Sequence, residues 1–120
     1  MKENAIRDKS FVFALRVVKL AKFLEDKKRE FVLSRQVLRS GTAIGALVRE
    51  AEHAESKADF IHKMSIALKE ANETSYWLEL LCQGEYIDKE SFDSIGSDSQ
   101  ELIKLLVAIV KSAKGALRSE

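Results

Sequence analysis

Proline is absent from the 120 residues of this chain, and glycine occurs only five times. These two residue types make many tight turns and interrupt helices, so their scarcity favours long helices over a strand-and-turn fold. Apolar residues recur at spacings of three and four along most of the sequence, which is the period of an amphipathic helix. The length allows one domain with a real core but not two. We therefore predict a single all-α domain over residues 1–120.

Four helical segments follow from this apolar spacing and from the polar stretches that separate them. An antiparallel up-down four-helix bundle is the expected arrangement of four helices in one such domain. Polar residues 1–8 and 116–120 are expected to fray at the two ends, and Asp8 or Ser10 is the expected cap of the first helix. The predicted helices cover about residues 9–26, 30–54, 57–83 and 88–114.

Polar residues and glycines indicate where the later helices begin and end. Ser56 followed by Asp59 is a variant capping box that opens the third helix. Gly84 is expected to end that helix at C′, the position just past the helix where a left-handed backbone suits glycine. Asp88 is the expected N-cap of the fourth helix, which Gly96 is expected to kink or to divide in two.

Two further glycines, Gly41 and Gly45, lie inside the second predicted helix. Each costs about 1 kcal/mol relative to alanine in a helix interior, so we expect another backbone to come close there. The predicted core face of the third helix carries two small residues, Ala67 and Ala71. The whole of that predicted face is Phe60, Met64, Ala67, Ala71, Thr74, Leu78 and Cys82. The two glycines and the two alanines predict a tight crossing between the second and the third helix.

Apolar residues also occupy a second face of the first and third helices. A helix that is apolar on two faces is buried on two sides, and in a bundle of this size another subunit explains the second side best. The alternative is a scatter of single surface hydrophobes. The predicted oligomer interface comprises Ile66, Tyr76, Trp77 and Leu80 of the third helix with Phe11, Leu15 and Val18 of the first.

Charge is spread unevenly, although the net charge is only +1. Residues 1–49 carry 12 Lys/Arg and 5 Asp/Glu, residues 50–101 carry 4 and 13, and residues 102–120 carry 4 and 1. Such asymmetry can mark a basic face for a polyanion, or subunits that meet basic half to acidic half. Antiparallel helices can equally mix these charges in space. All three interpretations remain open at the level of the sequence.

Arginines at helical spacing form the candidate binding surface. Arg35, Arg39 and Arg49 share one face of the second helix, and arginine binds phosphate through paired hydrogen bonds. Salt bridges at the surface or between subunits are the alternative role for these arginines. The residues predicted to assist in nucleic-acid binding are Lys57 and the basic corner of Lys27, Lys28 and Arg29, for which a solvated turn is the alternative.

Residues suited to catalysis or metal binding are sparse. Glu50 and His53 have the spacing of one half of a di-iron motif, but the second half is missing, and Glu70 and Glu73 are expected to make ion pairs. The single cysteine, Cys82, excludes an internal disulfide and lies on the predicted core face. No pattern marks a cofactor, a catalytic centre, a signal peptide or a membrane span. We expect a non-enzymatic cytoplasmic protein without metal or cofactor.

Two stretches of the sequence resemble a known family. The first is Gln-Val-Leu-Arg-Ser-Gly-Thr-Ala-Ile-Gly-Ala over residues 36–46, followed by Glu50-Ala51; the second lies within residues 58–78 and includes Ile66-Ala67-Leu68-Lys69-Glu70-Ala71 and Tyr76-Trp77-Leu78. They resemble the helix-two and helix-three signatures of proteins encoded in intervening sequences of bacterial 23S ribosomal RNA genes. The accessory variability proteins of diversity-generating retroelements are similar. The resemblance covers about residues 10–115, and Leu47 departs from the asparagine of many members.

The resemblance implies an up-down four-helix bundle that assembles into a homopentameric ring and has no known enzymatic activity. Retroelement members bind nucleic acid and a reverse transcriptase, and ribosomal members are candidate RNA binders. The implied partners are therefore other copies of the chain, structured RNA and a reverse transcriptase, with no membrane. The alternative is a protein–protein scaffold or accessory subunit that does not bind nucleic acid directly.

Overall fold

A computed structural model describes residues 2–119, with the side chains of residues 5–118. Its helices are α1 (Lys2–Lys28), α2 (Leu33–Ala51), α3 (Lys57–Gln83) and α4 (Lys89–Ser119), which confirms the predicted all-α four-helix bundle. Each helix packs against its neighbours in sequence, and α4 closes the bundle against α1. α1 and α3 therefore lie diagonally opposite each other in a bundle of 52 × 22 × 20 Å. Within the described residues, no helix has the length and apolar character needed to span a membrane.

α1 and α4 extend beyond their predicted bounds of about 9–26 and 88–114, because residues 2–8 and 115–119 are helical as well. The predicted fraying of the two ends stays a prediction. Met1 and Glu120 lie outside the described residues. Ile6 is completely buried in the core, and this burial favours extension of α1 towards the N-terminus. The predicted caps fail for the same reason, because Asp8 and Ser10 lie inside α1, where the Ser10 hydroxyl donates to the Arg7 carbonyl oxygen at 3.1 Å.

α2 is shorter than the predicted 30–54, because Glu30 stays outside the helix and caps it. Its carboxylate accepts hydrogen bonds from the backbone N–H groups of Val32, Leu33 and Ser34 at 3.2, 3.0 and 2.8 Å. Burial raises the pKa of Glu30, but the three backbone hydrogen bonds together outweigh it and leave that pKa below its ordinary value. The other end of α2 is Ala51, after which the chain turns.

The predicted start of α3 is confirmed, because the Ser56 side chain accepts from the Asp59 N–H at 3.0 Å. Its end differs from the prediction. Gly84 has a φ of −79°, and Glu85 adopts the left-handed φ of 67° at the C′ position. Backbone hydrogen bonds from Glu85 N–H to the Cys82 carbonyl oxygen at 3.0 Å and from Tyr86 N–H to that of Leu81 at 2.9 Å close this turn and hold the non-glycine residue there.

Asp88 caps α4 as predicted, accepting from the Ser91 N–H at 2.7 Å. The predicted division at Gly96 is wrong, because α4 is one continuous helix from Lys89 to Ser119. The predicted kink stays a prediction. Packing of its apolar face against the other helices favours one continuous helix across the glycine. Ile95 before Gly96 and Leu102 after it both belong to the buried core.

The buried face of α3 differs by one residue from the predicted face at each end of the helix. Phe60 and Cys82 were predicted to be buried, but both are half-exposed, while Ile61 and Leu81 are buried. The central positions agree with the prediction and are completely or almost completely buried. They are Met64, Ala67, Ala71, Thr74 and Leu78.

The glycines of α2 face α1, so their predicted role in a crossing with α3 is wrong. A Cβ atom on Gly41 would meet Val17, and one on Gly45 would meet Ser10, both residues of α1. The helix turns by about 100° per residue, so Ser40 faces a different neighbour from Gly41. Ser40 contacts α3, where its hydroxyl and that of Thr74 form a buried hydrogen bond with an Oγ–Oγ1 distance of 2.9 Å.

Candidate nucleic-acid interface

The arginines predicted on α2 lie on its outward side, and all three are exposed. Arg35 stands in the first turn of the helix and Arg49 in its last turn. At about 1.5 Å per residue they are roughly 21 Å apart along the helix axis. The three side chains therefore form a row rather than a cluster, and the contacts of each decide what it can bind.

Arg39 is held by carboxylates of α3. Its guanidinium lies 2.6 Å from Glu73 Oε2 and 3.3 Å from Glu70 Oε1. Hydrogen bonds to Glu73 and Glu70 raise the pKa of Arg39 above its ordinary value. The pKa of Glu73 is lowered by the hydrogen bond from the Trp77 indole N–H at 2.9 Å and by Arg39. Arg39 thus makes the salt bridges that were the alternative to phosphate binding.

Arg49 and Arg35 have different surroundings. The Arg49 guanidinium lies over the Phe11 ring of α1, 5.3 Å from its centroid, and leaves its charge at the surface. Arg35 makes no ion pair with any side chain among residues 5–118. Of the three predicted arginines, Arg35 is therefore the one whose guanidinium is most available to a ligand.

The predicted basic corner contains aromatic rings that sequence reasoning missed. Lys28 Nζ lies 5.9 Å from the centroid of Phe23, and Arg29 Cζ lies 5.4 Å from that of Phe31. The two rings remain 41% and 43% exposed. The sequence does contain a signal for this pairing of rings and cations, because Phe23 and Phe31 flank the basic run at residues 27–29. We call Phe23, Lys27, Lys28, Arg29 and Phe31 the basic-aromatic corner.

The fold divides the predicted binding residues between the two ends of the bundle. Arg35 lies beside the basic-aromatic corner, because α2 begins at Leu33 just after it. Arg49 lies in the last turn of α2, and Lys57 begins α3 just beyond, so these two cations are at the opposite end. The predicted nucleic-acid-binding residues therefore do not form one continuous surface.

An open groove of about 840 Å³ adjoins the basic-aromatic corner. It lies between α1 and the connection from α3 to α4, and Phe23 and Lys28 belong to its lining. The other side chains around it are mainly apolar or basic. They include Lys19, Leu20, Tyr86, Ile87 and Lys89.

The residues predicted for the oligomer interface differ in exposure. Tyr76 is 58% exposed and Phe11 48%, and Leu15 and Leu80 are also exposed. The half-buried members of the predicted set are Ile66, Val18 and Trp77. Trp77 packs against the core and lies edge-on to Tyr76, with ring centroids 5.0 Å apart. Val12, which the sequence analysis did not select, adds an exposed apolar side chain beside Phe11.

Within the described residues, no group of three or more histidine, cysteine or acidic side chains is placed to hold a metal ion. Glu50 of the E-x-x-H spacing instead accepts from Lys63 Nζ at 3.2 Å, and His53 is exposed. Cys82 is half-exposed, which corrects its predicted burial.

Comparison with known proteins identifies the family of this chain. The model of the 23S rRNA-intervening sequence protein family matches residues 2–108. This chain belongs to that family. A solved structure of a protein with unknown function from the S23 ribosomal protein family of Bacteroides thetaiotaomicron is 60% identical, covering 92% of this chain and 99% of that chain, with a TM-score of 0.91. No curated protein matches. The intervening-sequence family thus accounts for the fold and for both helical signatures, and similarity to the retroelement proteins stays a prediction.

Proposed function

We propose that this intervening-sequence protein is a non-enzymatic homo-oligomer that binds structured RNA at the basic-aromatic corner and Arg35. The observation that carries the proposal is the pairing of exposed rings with cations, Phe23 with Lys28 and Phe31 with Arg29. Unpaired RNA bases stack on aromatic rings while nearby cations hold the phosphates. Arg39 is left out of the proposed site because Glu70 and Glu73 already bind it.

Self-association is the second part of the proposal. The exposed apolar side chains Phe11 and Leu15 lie on α1, whereas Tyr76 and Leu80 lie on the diagonally opposite α3. Two different patches on opposite sides of one subunit suit a heterologous contact, in which each subunit offers α1 to the α3 of its neighbour. Such contacts form a ring when the rotation between successive subunits closes, and five copies are the number implied by the family resemblance.

The remaining assignments follow from the same resemblance. A reverse transcriptase is a further proposed protein partner, and the cytoplasm is the proposed compartment. Neither assignment affects the test of RNA binding, which uses the purified protein.

The test compares RNA binding by the wild type and by the Lys27→Gln/Lys28→Gln/Arg35→Gln variant. Fluorescence anisotropy with a labelled RNA stem-loop measures the affinity at several salt concentrations. Loss of three phosphate contacts is expected to reduce the slope of log affinity against log salt by about 2 to 3. Phe31→Leu is expected to weaken binding by about 1–3 kcal/mol without changing that slope, because it removes stacking but no charge.

A matched control removes three cations that already pair with carboxylates. The variant is Arg7→Gln/Lys9→Gln/Lys63→Gln, which disrupts the pairs Arg7–Glu52 at 3.7 Å, Lys9–Glu101 at 3.1 Å and Lys63–Glu50 at 3.2 Å. It loses the same net charge as the corner variant and is expected to keep most of the affinity. Equal losses in the two variants would contradict a localised site, and a wild type without RNA affinity at low salt would contradict the function itself.

A protein–protein scaffold is the second candidate function, favoured by a different observation. Arg39, Glu70, Glu73 and Trp77 form one connected polar network across the outer side of α2 and α3. Such a network orders the surface beside Tyr76 and Leu80, as a protein interface requires. The scaffold predicts a stable oligomer that has no RNA affinity at low salt, so the same anisotropy experiment separates the two functions.

A further inference from the structure

A row of cations runs along the C-terminal half of α4. Between residues 102 and 119 the chain contains no aspartate or glutamate. Four cations in this segment are spaced by seven, three and four residues, which places them on one stripe of a helix. All four are exposed, and none pairs with a carboxylate among the side chains of residues 5–118. We call Lys104, Lys111, Lys114 and Arg118 the α4 row.

Several other cations of the bundle are paired with carboxylates within the protein. Arg16 lies 2.6 Å from Asp98 across the α1–α4 contact, and Arg39 is bound by two carboxylates of α3. The α4 row lacks such compensation among the described side chains, so its positive charges add to one another at the surface. The helix dipole stabilises a cation in the last turn, where Arg118 lies, but its effect falls off within that turn. The mutual repulsion of the aligned cations that precede Arg118 is therefore relieved best by a ligand of opposite charge.

A groove of about 290 Å³ accompanies the row on the side of α3. Its apolar lining comes from Leu68 of α3 with Val107 and Val110 of α4. Its basic lining comes from the last three members of the row, Lys111, Lys114 and Arg118. An apolar floor beside three cations matches a ligand that alternates apolar faces with anionic groups.

We propose that the α4 row and its groove form a second nucleic-acid-binding surface, which holds a sugar-phosphate backbone. The phosphates lie on Lys111, Lys114 and Arg118, and a sugar or base face lies over Val107. The row spans 14 residues, or about 21 Å of helix, which corresponds to roughly six nucleotides of one strand at about 3.4 Å each. The surface is distinct from the basic-aromatic corner, because α4 starts beside that corner and ends at the opposite end of the bundle.

A nucleic acid fits this surface better than an anionic membrane does. A helix that lies in a membrane surface inserts a broad apolar face below the head groups. The apolar face of α4 is already buried in the bundle through Leu102, Leu106 and Ile109. The large apolar side chains it leaves exposed are Val107 and Leu117. The surface thus offers charge and a narrow apolar groove, which is what a phosphate backbone requires.

The inference rests on the proposed RNA binding for the identity of the polyanion, and its test uses a separate variant. Lys111→Gln/Lys114→Gln/Arg118→Gln in the full chain is compared with the wild type by anisotropy, with the same RNA stem-loop and salt series. The expected result is a loss of affinity on the order of 10- to 100-fold at about 0.1 M salt, with a slope reduced by about 2 to 3. The melting temperature should stay close to that of the wild type, since the three side chains are exposed and unpaired among the described residues.

The outcomes distinguish this inference from the proposed function. RNA affinity that falls in the α4 variant and holds in the Arg7→Gln/Lys9→Gln/Lys63→Gln control supports the α4 surface. An α4 variant that binds RNA like the wild type, while the corner variant loses affinity, overturns the α4 surface and leaves the function standing. Absence of RNA binding by the wild type overturns both. Wild-type binding to vesicles of phosphatidylserine and phosphatidylcholine, with none to RNA, also overturns the nucleic-acid assignment.

Discussion

Val17 of α1 occupies the space that a side chain on Gly41 of α2 would need. A Cβ atom on Gly41 would lie 2.8 Å from both γ-carbons of Val17, which is shorter than the contacts that real Cβ atoms make. Gly45, one turn further along α2, has more room, because its Cβ atom would lie 3.5 Å from the Ser10 carbonyl oxygen. The two glycines look equivalent in the sequence, but only one of them is required for close packing.

Gly41→Ala is therefore expected to destabilise the bundle by about 1–2 kcal/mol. Valine is stiff at χ1 and cannot turn its methyl groups away easily, and overpacking costs more than the roughly 1 kcal/mol that alanine gains in a helix. Gly45→Ala is the matched control and is expected to be neutral or to stabilise by up to about 1 kcal/mol. Urea unfolding measures both changes. Equal effects in the two variants would be inconsistent with the contact to Val17, as would a failure of Val17→Ala to relieve Gly41→Ala.

Thr74→Val is expected to cost about 1–3 kcal/mol, because it leaves the buried Ser40 hydroxyl without its partner on α3. The shape of the side chain is nearly unchanged, so the loss reports the hydrogen bond rather than a cavity. Ser40→Ala/Thr74→Val removes both polar groups and should recover much of that loss. Thermal and urea unfolding of the two single variants and the double variant complete the cycle. Strict additivity of the two substitutions would show that the hydroxyls do not interact.

Glu73 is expected to make the free energy of unfolding fall at acid pH. Its pKa lies below the ordinary value of 4.5, so its ionised form stabilises the folded state above that pH. This contribution is lost as pH falls below 4.5 and through the folded pKa of Glu73. Because the carboxylate is partly exposed, we expect less than about 1 kcal/mol. Urea unfolding between about pH 6 and pH 3 measures the change. Glu73→Gln should make it smaller by the contribution of Glu73, while Glu30, whose pKa is also lowered, still contributes.

Trp77 offers a local reporter of the same titration, since it is the single tryptophan and donates to Glu73 at 2.9 Å. Its fluorescence in the folded protein should follow the protonation of Glu73, at a pH below the ordinary range of a glutamate. Glu79→Gln on the same helix is the control and should leave this transition in place. A transition that persists in Glu73→Gln would assign it to another group.

Leu80→Glu is expected to weaken the oligomer, because it puts a charge into the exposed apolar patch beside Tyr76 on α3. Leu117→Glu on α4 is the matched control, with the same substitution at a leucine of similar exposure, 41% against 38%. Light scattering coupled to gel filtration measures the mass of each species. A wild-type monomer would refute the proposed assembly, and dissociation by both variants would point away from the α3 patch.

Local patterns predicted most of the fold. The Ser56–Asp59 cap, the Asp88 cap and the central core positions of α3 were all predicted from residue type and spacing, because each depends on residues within one or two helical turns. The predicted start of α1 at about residue 9 was wrong for the opposite reason. Ile6 is buried by neighbouring helices, and that burial extends α1 through residues that look polar and unstructured on their own.

The candidate site was less predictable than the fold. The arginine face of α2 was visible from its spacing, but whether each guanidinium is available depends on other helices. Arg39 meets Glu70 and Glu73 of α3, and Arg49 meets Phe11 of α1. Spacing within one helix carries no information about these partners, so the three arginines appeared equivalent.

The sequence by itself determined the four helices, the caps at Ser56 and Asp88 and the central core positions of α3, because helical periodicity and capping are local properties of the chain. The tertiary structure alone decided which neighbour each face meets. Ser40 meets Thr74 on α3, whereas the adjacent Gly41 meets Val17 on α1. The physical reason is the turn of about 100° per residue, which sends consecutive side chains to different helices once the bundle has assembled.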